Sequence, residues 1–478
     1  MIDTKAIRDR ILLLALKGEL VEQNPQDESA SNLIDKLCRN IGDRSFEPDF
    51  SEDEIPYDIP LSWSWCRLSD IGSTNIGLTY HPDDVTENGV IVARSSNIVN
   101  GKMDYSDLVK VSCSIRENQY LNSNDILICA RNGSKALVGK CAIYEGDSKK
   151  IAFGAFMAVF RTPLFRYVYY YFNTGVFKQN FISDDSKQIN QVTQNILKQS
   201  LIPIPPLSEQ TRIVERIEAI FEILDRIDAL QNQYTANQEA LKSKLIDTAI
   251  QGKLTEQLPE DGTAEELREE AIKYKEELAK EGVLKNRKSK DIREITDEEC
   301  LLDLPASWSW FRLGEIIEVF GRIGFRGYKK TDLVQRGQGA ITMSPSNISK
   351  SGEVSFESST YISWEKYEES PEIKLEVGDI VLVKTGSTYG KCGIINELPE
   401  KATINPQLAI LKYIKCNRKY LYYVLRSTAA STQYKSFVVG AATPTFSQEK
   451  LSNMMIPMPP MAEQERIVNM LDQIFEDR

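Results

Sequence analysis

The sequence contains the same two long motifs twice, in the same order. PLSWSWCRLSDIG at residues 60–72 returns as PASWSWFRLGEII at residues 305–317, and IPIPPLSEQTRIVERIEAIF at residues 202–221 returns as IPMPPMAEQERIVNMLDQIF at residues 456–475. Shorter matches around SNI, an apolar run that begins DI, and GKC lie between them in both copies. Because every copy of a repeat must form the same structural unit, the sequence predicts two similar domains.

A long helix is predicted directly after the first domain. Neither proline nor glycine occurs from residue 207 to residue 251, and Gly252 is placed to end the helix. At about 1.5 Å per residue, such a helix is a rod of roughly 65 Å. Isoleucine and leucine residues along it alternate spacings of four and three, which is typical of a coiled coil.

A third fragment of the repeat stands at the start of the chain. LLALKGELVEQNP at residues 13–25 resembles DTAIQGKLTEQLP at residues 247–259, which follows the first domain. The second copy of the helix stops at residue 478, so we expect the N-terminal segment to supply its other half. The N- and C-terminal helices would then lie end to end and pair with the central helix as an antiparallel coiled coil. The residues expected to form this coiled coil are Ile213, Ile217, Ile220, Leu224, Ile227, Leu241, Leu245, Ile467, Leu471, Ile474, Ile7 and Ile11.

Short apolar runs such as DILICA, FMAVFR, DIVLVK and AILKYI, separated by clusters of Gly, Asn, Ser and Pro, predict strands within each domain. Helices are predicted at FRYVYYYFNTG and RKYLYYVLRST. We therefore expect an α+β fold: two similar mixed domains with mostly antiparallel sheets, separated by long antiparallel helices in a pseudo-twofold, circular organisation. The predicted segments are an N-terminal helix at 1–24, a connector at 25–59, the first domain at 60–205, the central helix at 206–252, a connector with a helix from Ala264 to Lys280 at 253–304, the second domain at 305–459 and a C-terminal helix at 460–478.

The formal net charge of −11 is unevenly distributed along the chain. Residues 61–200 carry 15 basic and 12 acidic residues, and residues 306–456 carry 19 and 14, so the acidity belongs to the connecting segments. Affinity for DNA depends on the local patch presented to phosphates, so this distribution is compatible with DNA binding. Charge alone favours an ordinary, mildly charged globular surface.

The sequence offers no set of residues suited to catalysis. The single histidine, His81, lies in a YHPDD stretch typical of an exposed turn, and no zinc-ligand pattern, phosphate-binding loop or dinucleotide fingerprint is present. Eight cysteines without a C-x-x-C pair indicate free thiols in a reducing cytoplasm. No apolar run approaches the roughly 18 residues of a transmembrane helix. We expect a soluble, cytoplasmic binding protein that is not an enzyme and holds no metal.

Candidate DNA-contacting residues are polar or basic and occur at corresponding places in both copies. Asparagine can pair with adenine, and basic side chains can bind guanine or phosphate. We align Arg131 with Lys384, and we expect Lys140 and Lys391, each in GKC, to bind phosphate. An ordinary turn role stays open for every candidate. The candidates are Ser95, Asn97, Arg131, Asn132, Ser134, Lys135, Lys140, Gln188, Asn190, Gln191 and Thr193 in the first copy, and Ser346, Asn347, Lys384, Thr385, Ser387, Lys391, Thr443, Thr445 and Ser447 in the second.

Two tryptophan pairs have a different pattern. Trp63 and Trp65, like Trp308 and Trp310, alternate with serine at the spacing of a strand and are identical in both copies. This pattern favours packing in the core over stacking on bases.

The order helix, domain, helix, domain, with SWxWxRL opening and IPxPPxxEQxRIV closing each domain, resembles the DNA sequence-specificity subunits of type I restriction-modification systems. The resemblance covers nearly the whole chain. It implies two target recognition domains, each reading one half of a split, asymmetric DNA site. It also implies that the helices set the gap between the halves and dock two adenine-methylating subunits and, for cleavage, restriction and translocase subunits. S-adenosylmethionine, ATP and Mg would belong to those partners, and this chain would hold no cofactor.

Two other functions stay open. A bipartite DNA-binding scaffold or decoy could serve another effector, which co-purification with a methyltransferase would distinguish. An enzyme that acts alone is the third, and methylation of DNA by the purified chain with S-adenosylmethionine would reveal it.

Overall fold

The computed structural model divides the chain into two compact units, Met1–Gln233 and Tyr234–Arg478. The boundary falls inside the long helix, so each unit holds one part of it. The residues that the structure describes are 1–146, 150–181, 191–284, 292–300, 303–322, 327–440 and 443–476.

The first unit holds an N-terminal helix, the first domain and the beginning of the long helix. In chain order its elements are α1 (Thr4–Lys17), α2 (Ala30–Gly42), β1 (Ser64–Arg67), α3 (Leu68–Ile71), β2 (Ser73–Ile76), β3 (Val85–Ala93), β4 (Ile98–Val99), β5 (Lys102–Met103), β6 (Val109–Val111), β7 (Asp125–Cys129), β8 (Cys141–Tyr144), β9 (Ile151–Phe153), β10 (Met157–Arg161), α4 (Phe165–Phe172), α5 (Gly175–Lys178), α6 (Gln194–Gln199), β11 (Leu201–Ile204) and α7 (Leu207–Ala249).

The first domain is built around an antiparallel sheet in the order β2-β10-β7-β8. β7, with the sequence DILIC, is buried along its whole length. Ile126 and Ile128 pack in the core that contains α4, whereas Leu127 and Cys129 pack in a core shared with a second sheet, β6-β3-β9. The alternation of side chains along a strand therefore buries both faces of the central sheet. β1 and β11 pair antiparallel, so the motifs that open and close the domain are neighbours.

The second unit repeats this plan. Its central sheet has the order β13-β20-β17-β18, a second sheet has the order β14-β16-β15-β19, and β12 pairs with β21. After the end of α7, its elements are α8 (Ala264–Lys280), β12 (Ser309–Arg312), α9 (Leu313–Ile316), β13 (Glu318–Phe320), β14 (Leu333–Val334), β15 (Gly339–Met343), β16 (Thr360–Ser363), α10 (Trp364–Glu368), β17 (Ile380–Val383), β18 (Cys392–Ile394), β19 (Ala402–Ile404), β20 (Leu408–Lys412), α11 (Arg418–Leu425), α12 (Thr428–Phe437), α13 (Gln448–Ser452), β21 (Met455–Met458) and α14 (Met461–Glu476). The predicted mixed, mostly antiparallel domains and the long helix are confirmed.

Within the first unit, α1 runs antiparallel to the first part of α7. The hydroxyl of Thr4 donates to Asp228 Oδ1 at 2.6 Å, and Arg8 donates to Asp225 Oδ1 at 2.9 Å. Further along, Leu12 packs in the same core as Ile217. The N-terminal helix therefore supplies the antiparallel partner that the sequence predicts for this part of α7.

Within the second unit, α14 runs antiparallel to the end of α7. Lys242 Nζ lies 5.5 Å from the ring centroid of Phe475, and Leu471 packs in the same core as Ile246. The predicted end of α7 is also confirmed, because Gly252 has a φ of 67° and its N–H donates to Ala249 O at 3.0 Å.

Most of the predicted coiled-coil residues are covered within their unit. The exceptions are Ile7 and Leu241, which occupy equivalent positions of the repeat and are 38% and 39% exposed. In α1 the contact with α7 is made by Thr4, Arg8 and Leu12, which leaves Ile7 on the flank. Those buried are Ile213, Ile217, Leu224, Ile467 and Leu471, and those half-buried are Ile220, Ile227, Leu245, Ile474 and Ile11.

The repeat is a tandem duplication in three dimensions. Each unit runs in the order helix, domain, helix: α1, the first domain and the first part of α7, then the second part of α7, the second domain and α14. Residues 13–25 are therefore in sequence order, because residues 247–259, which they resemble, also precede a domain. The end-to-end placement of the terminal helices involves both units and stays a prediction.

The first connector contains a helix that the sequence analysis missed. α2 buries Ala30, Ile34, Leu37 and Cys38, which follow helical spacing within a segment that the sequence analysis describes only as an acidic connector. The helix predicted from Ala264 to Lys280 is confirmed as α8. None of the described helices combines the length and apolar character needed to span a bilayer.

Candidate DNA interface

The motifs that are identical in the two copies meet where each domain joins its helices, a region that we call the joint. In the first unit, Trp63 Nε1 donates to Glu209 Oε2 at 3.0 Å, and Gln23 Nε2 donates to Glu209 Oε1 at 2.6 Å. Glu209 is fully buried, and this burial raises the pKa of its carboxyl group. Three separate motifs, SWSW, EQ and the fragment at residues 13–25, thus converge on one carboxylate.

The second unit builds the same joint. Trp308 Nε1 donates to Glu463 Oε2 at 2.8 Å, and Gln257 Nε2 donates to Glu463 Oε1 at 2.8 Å. The prediction that the tryptophans pack in the core is confirmed for Trp63, Trp65 and Trp308, which are buried, whereas Trp310 is half-buried.

Glycine and proline complete each joint. Gly18 has a φ of 73° at the end of α1, and a Cβ there would lie 2.5 Å from Pro60 Cγ. Gly252 is in the same conformation, and a Cβ there would meet the ring of Pro305. Only glycine combines this left-handed conformation with such close contact. The identical residues of the repeat therefore fix how a domain joins its helices.

Asn97 and Asn347 are not available to a base in this structure, contrary to the prediction that they contact DNA. Asn97 is 1% exposed, and its Nδ2 donates to the carbonyl oxygens of Asp104 at 2.9 Å and Asp107 at 2.8 Å, while its Oδ1 accepts from the N–H of Arg94. Asn347 is also buried and donates to Ser355 O at 2.9 Å. Their recurrence reflects a loop that both domains must hold together.

Lys140 and Lys391, which we expect to bind phosphate, are half-buried and donate to backbone carbonyls in this structure, and phosphate binding stays a prediction. Lys140 Nζ donates to Ile98 O at 2.9 Å, and Lys391 Nζ donates to Pro345 O at 2.6 Å and Ile348 O at 2.5 Å. Burial lowers the pKa of Lys391. Both lysines therefore tie the GKC segment to the loop that contains the SNI match.

The remaining polar candidates of the first domain surround the end of β7, a region that we call the first tip. Arg131 forms an isolated antiparallel bridge with Gln191, which follows the segment outside the described residues. The N–H groups of Ala130 and Arg131 donate to Phe156 O at 2.9 and 3.1 Å. Asn132 Nδ2 donates to Ser95 Oγ at 3.1 Å. Four candidates from three separate loops are thus brought together.

The second tip has the same backbone and different side chains. Thr385 bridges Thr445, and their hydroxyl oxygens are 2.7 Å apart. The N–H groups of Lys384 and Thr385 donate to Gln407 O at 2.8 and 3.2 Å. Burial lowers the pKa of Lys384, whose ammonium group has no hydrogen-bond partner among the residues that the structure describes.

These backbone bonds correct the alignment of the two copies by one residue. Arg131 and Thr385 hold equivalent positions, because each forms the bridge of its own tip. In each tip, the N–H group of this residue and that of the residue before it donate to one and the same carbonyl oxygen. The sequence analysis pairs Arg131 with Lys384 instead. A shift of one residue along an extended strand turns a side chain to the opposite face, so the corrected pairing changes which side chains are compared.

The other candidates lie around the tips in less specific roles. Thr193 and Ser447 cap α6 and α13 by accepting from Ile196 N at 3.2 Å and Lys450 N at 3.1 Å. Ser346 is exposed beside Ser344. Ser134, Lys135, Ser387 and Thr443 are exposed, and Gln188 and Asn190 lie outside the described residues.

Sequence reasoning missed two residues of the tips. Phe156 and Gln407 hold equivalent positions immediately before β10 and β20, and both are exposed. The available signal was the aligned pair of runs FMAVFR and QLAILK, in which the first residue changes from aromatic to polar while the rest stays apolar.

His81 is exposed beside a short turn as predicted, and all eight cysteines are free. Within the described ranges, no group of three or more His, Cys, Asp or Glu side chains is placed to hold a metal ion.

Comparison with known proteins finds a matching family and a similar fold. A family model for the type I restriction modification DNA specificity domain matches residues 60–238 and 305–477. The chain is 23% identical to the type I restriction enzyme EcoAI specificity subunit of Escherichia coli, over 99% of this chain and 89% of that protein. It is also 23% identical to the EcoEI specificity subunit of Escherichia coli, over the same shares. A chain solved to explain complex assembly and conformational transition of the type I R-M system has a similar fold, with a TM-score of 0.57 and 19% identity over 88% of this chain and 92% of that one.

Proposed function

Because the chain belongs to the type I restriction-modification DNA specificity family, we propose that its two domains recognise the two halves of a bipartite, asymmetric DNA sequence. As a specificity subunit of such a system, the chain is not itself an enzyme. Each domain would contact one half-site through its tip.

The observation that carries this proposal is the constancy of the tip backbone with a change of its side chains. Arg131 in the first tip stands where the second tip has Thr385, and Phe156 stands where the second has Gln407. Arginine suits guanine O6 and N7, glutamine suits adenine, and threonine adapts to several base edges. One scaffold with two sets of readers is what an asymmetric site requires.

The long helix would scaffold two adenine methyltransferase subunits and, in the restricting complex, restriction and translocase subunits. Several large apolar side chains of α7 are exposed within their own units, including Ile223 at 56% and Leu230 at 62% in the first. Exposed apolar surface of this kind suits a protein partner. S-adenosylmethionine, ATP and Mg would be held by those partners.

A domain exchange tests the two-reader function. Residues 305–459 are replaced by the corresponding segment of a relative that has another specificity. The exchanged segment begins just before β12 and ends just after β21, so it contains both strands of this pair. The complex with methyltransferase subunits is expressed in cells, and methylated adenines are mapped. One half of the methylated motif should change while the other half stays.

The matched control exchanges residues 60–205, whose boundary is the β1–β11 pair, and should change only the other half. If either exchange altered both halves, or neither half, two independent readers would be the wrong description.

A further inference from the structure

Phe156 is an exposed aromatic side chain held at a fixed place in the first tip. It is 63% exposed, although the next residue, Met157, is buried. Its backbone lies in a tight turn in which Met157 N–H donates to Gly154 O at 2.8 Å, and its own carbonyl accepts two further hydrogen bonds. The backbone therefore cannot rotate to bury the ring without breaking these bonds.

Arg131 lies beside this ring. Its guanidinium carbon is 5.9 Å from the ring centroid of Phe156, and the side chain is exposed. No hydrogen bond or ion pair of the guanidinium group occurs within the part of the chain that the structure describes. The guanidinium group of Arg131 and the ring of Phe156 are thus exposed side by side, at a place where the two domains have different side chains.

This pair matches the chemistry of two neighbouring base pairs. In the major groove, guanine presents the acceptors O6 and N7, and thymine presents a methyl group that apolar side chains, including phenylalanine, contact. Successive base pairs are about 3.4 Å apart, so groups 5.9 Å apart can serve one pair and the next.

We propose that Arg131 and Phe156 are joint specificity determinants of the first domain, which read a G·C pair beside an A·T pair. Arg131 donates to guanine O6 and N7, and Phe156 contacts the thymine methyl group. This inference rests on the proposed function, because it names what the first tip recognises. The second domain, with Thr385 and Gln407 at the same places, lacks both groups and would not read such a step.

Base analogues test the two contacts one atom at a time. The full chain in complex with its methyltransferase subunits is titrated with duplexes that carry the methylated motif. Each thymine of the first half-site is replaced in turn by deoxyuridine, which lacks only the methyl group, and each guanine by 7-deazaguanine, which lacks N7. The same series is repeated with Phe156→Ala, Phe156→Leu and Arg131→Ala.

One deoxyuridine position should weaken binding of the unchanged protein about four-fold, the value for one buried methyl group. That effect should vanish in Phe156→Ala and persist in Phe156→Leu, whose side chain is still apolar. One 7-deazaguanine position in an adjacent pair should weaken binding about ten-fold and should have no effect in Arg131→Ala. Substitutions in the second half-site serve as the control, because none of the three variants should alter their effects.

Two outcomes would overturn the inference while leaving the proposed function intact: selective binding of the motif with no sensitivity to deoxyuridine, or equal sensitivity with and without Phe156. A ring that only stacks on bases would give the second result. If the complex did not prefer its motif over an unrelated duplex, the proposed function itself would fail. Circular dichroism and assembly with the methyltransferase subunits establish that each variant is folded.

Discussion

At the joint both copies of the repeat use the same side chains, whereas at the tip they share only backbone contacts. Trp63 and Glu209 have direct counterparts in Trp308 and Glu463, with the same bonds. The residue that corresponds to Arg131 in the second copy is, by contrast, Thr385. The joint sets the direction of a domain on its helices, which both copies need equally. Under the proposed function the tip selects bases, so it would have to differ wherever the half-sites differ.

The largest expected effect is at the joint. Trp63→Ala should lower the free energy of unfolding by about 3–5 kcal/mol, because it empties a core position and removes a donor from the buried carboxylate of Glu209. Trp308→Ala should lower it by a similar amount. Chemical denaturation measures both, with the exposed tip variant Ser387→Ala as the control expected to stay within about 0.5 kcal/mol. A loss of stability no larger than that of the control would show that the joint does not hold the domain on its helices.

Asn97 offers a test of whether a recurring residue belongs to the scaffold or to the tip. Asn97→Ala leaves the carbonyls of Asp104 and Asp107 without their donor. The expected loss of stability is about 1–3 kcal/mol, with no change in the bases of the methylated motif. Ser96→Ala, at the exposed neighbour, is the control. If the variant tolerated other bases in one half-site and kept its stability, Asn97 would be a DNA-contacting residue.

The glycine of the joint should tolerate no side chain. Gly18→Ala places a Cβ against Pro60 in a left-handed conformation, and we expect a loss of about 1–2 kcal/mol from the backbone conformation alone. Gly175→Ala is the matched control, because a Cβ at that position meets nothing within 4 Å. Thermal unfolding of the two variants should separate them, and equal midpoints would contradict the role assigned to Gly18.

A change at the second tip should act on one half-site only. Thr385→Ala removes the hydroxyl group that contacts Thr445, and both threonines are half-buried in the second tip. We expect about 1 kcal/mol of lost discrimination at one position of the second half-site. Methylation of duplexes with every base at each position measures this loss. An equal loss in both halves would mean that the tips do not work separately.

The sequence was sufficient to predict features that recur in both copies. It was insufficient to predict whether a polar side chain is already hydrogen-bonded within the folded domain. Two similar domains and α7 follow from repeated strings and helical spacing. The role of Asn97 does not, because the carbonyls that hold it come from residues whose position only the fold sets. The pairing of Arg131 with Thr385 was missed for a related reason: the loop after β7 is longer in the first copy, and similar letters favoured the wrong register.

Phe156 shows the same limit from the other side. Its run, FMAVFR, predicts a buried strand, and four of the five residues of β10 are indeed buried. The aromatic residue in front of them lies in the turn, outside the alternation that the pattern relies on. Composition cannot separate an aromatic residue that fills a core from one that a turn holds in solvent.

The smallest expected effect concerns pH and returns to the joint. Burial raises the pKa of Glu209 above its ordinary 4.5, so the folded protein binds this proton more tightly than the unfolded chain does. The stabilisation from protonation is therefore complete below pH 4.5 and is lost as the pH rises through the raised pKa. Glu209→Gln has no such proton. The stability of the unchanged protein relative to this variant should fall as the pH rises across that interval and then level off. Parallel stability curves would show that folding does not raise the pKa of Glu209.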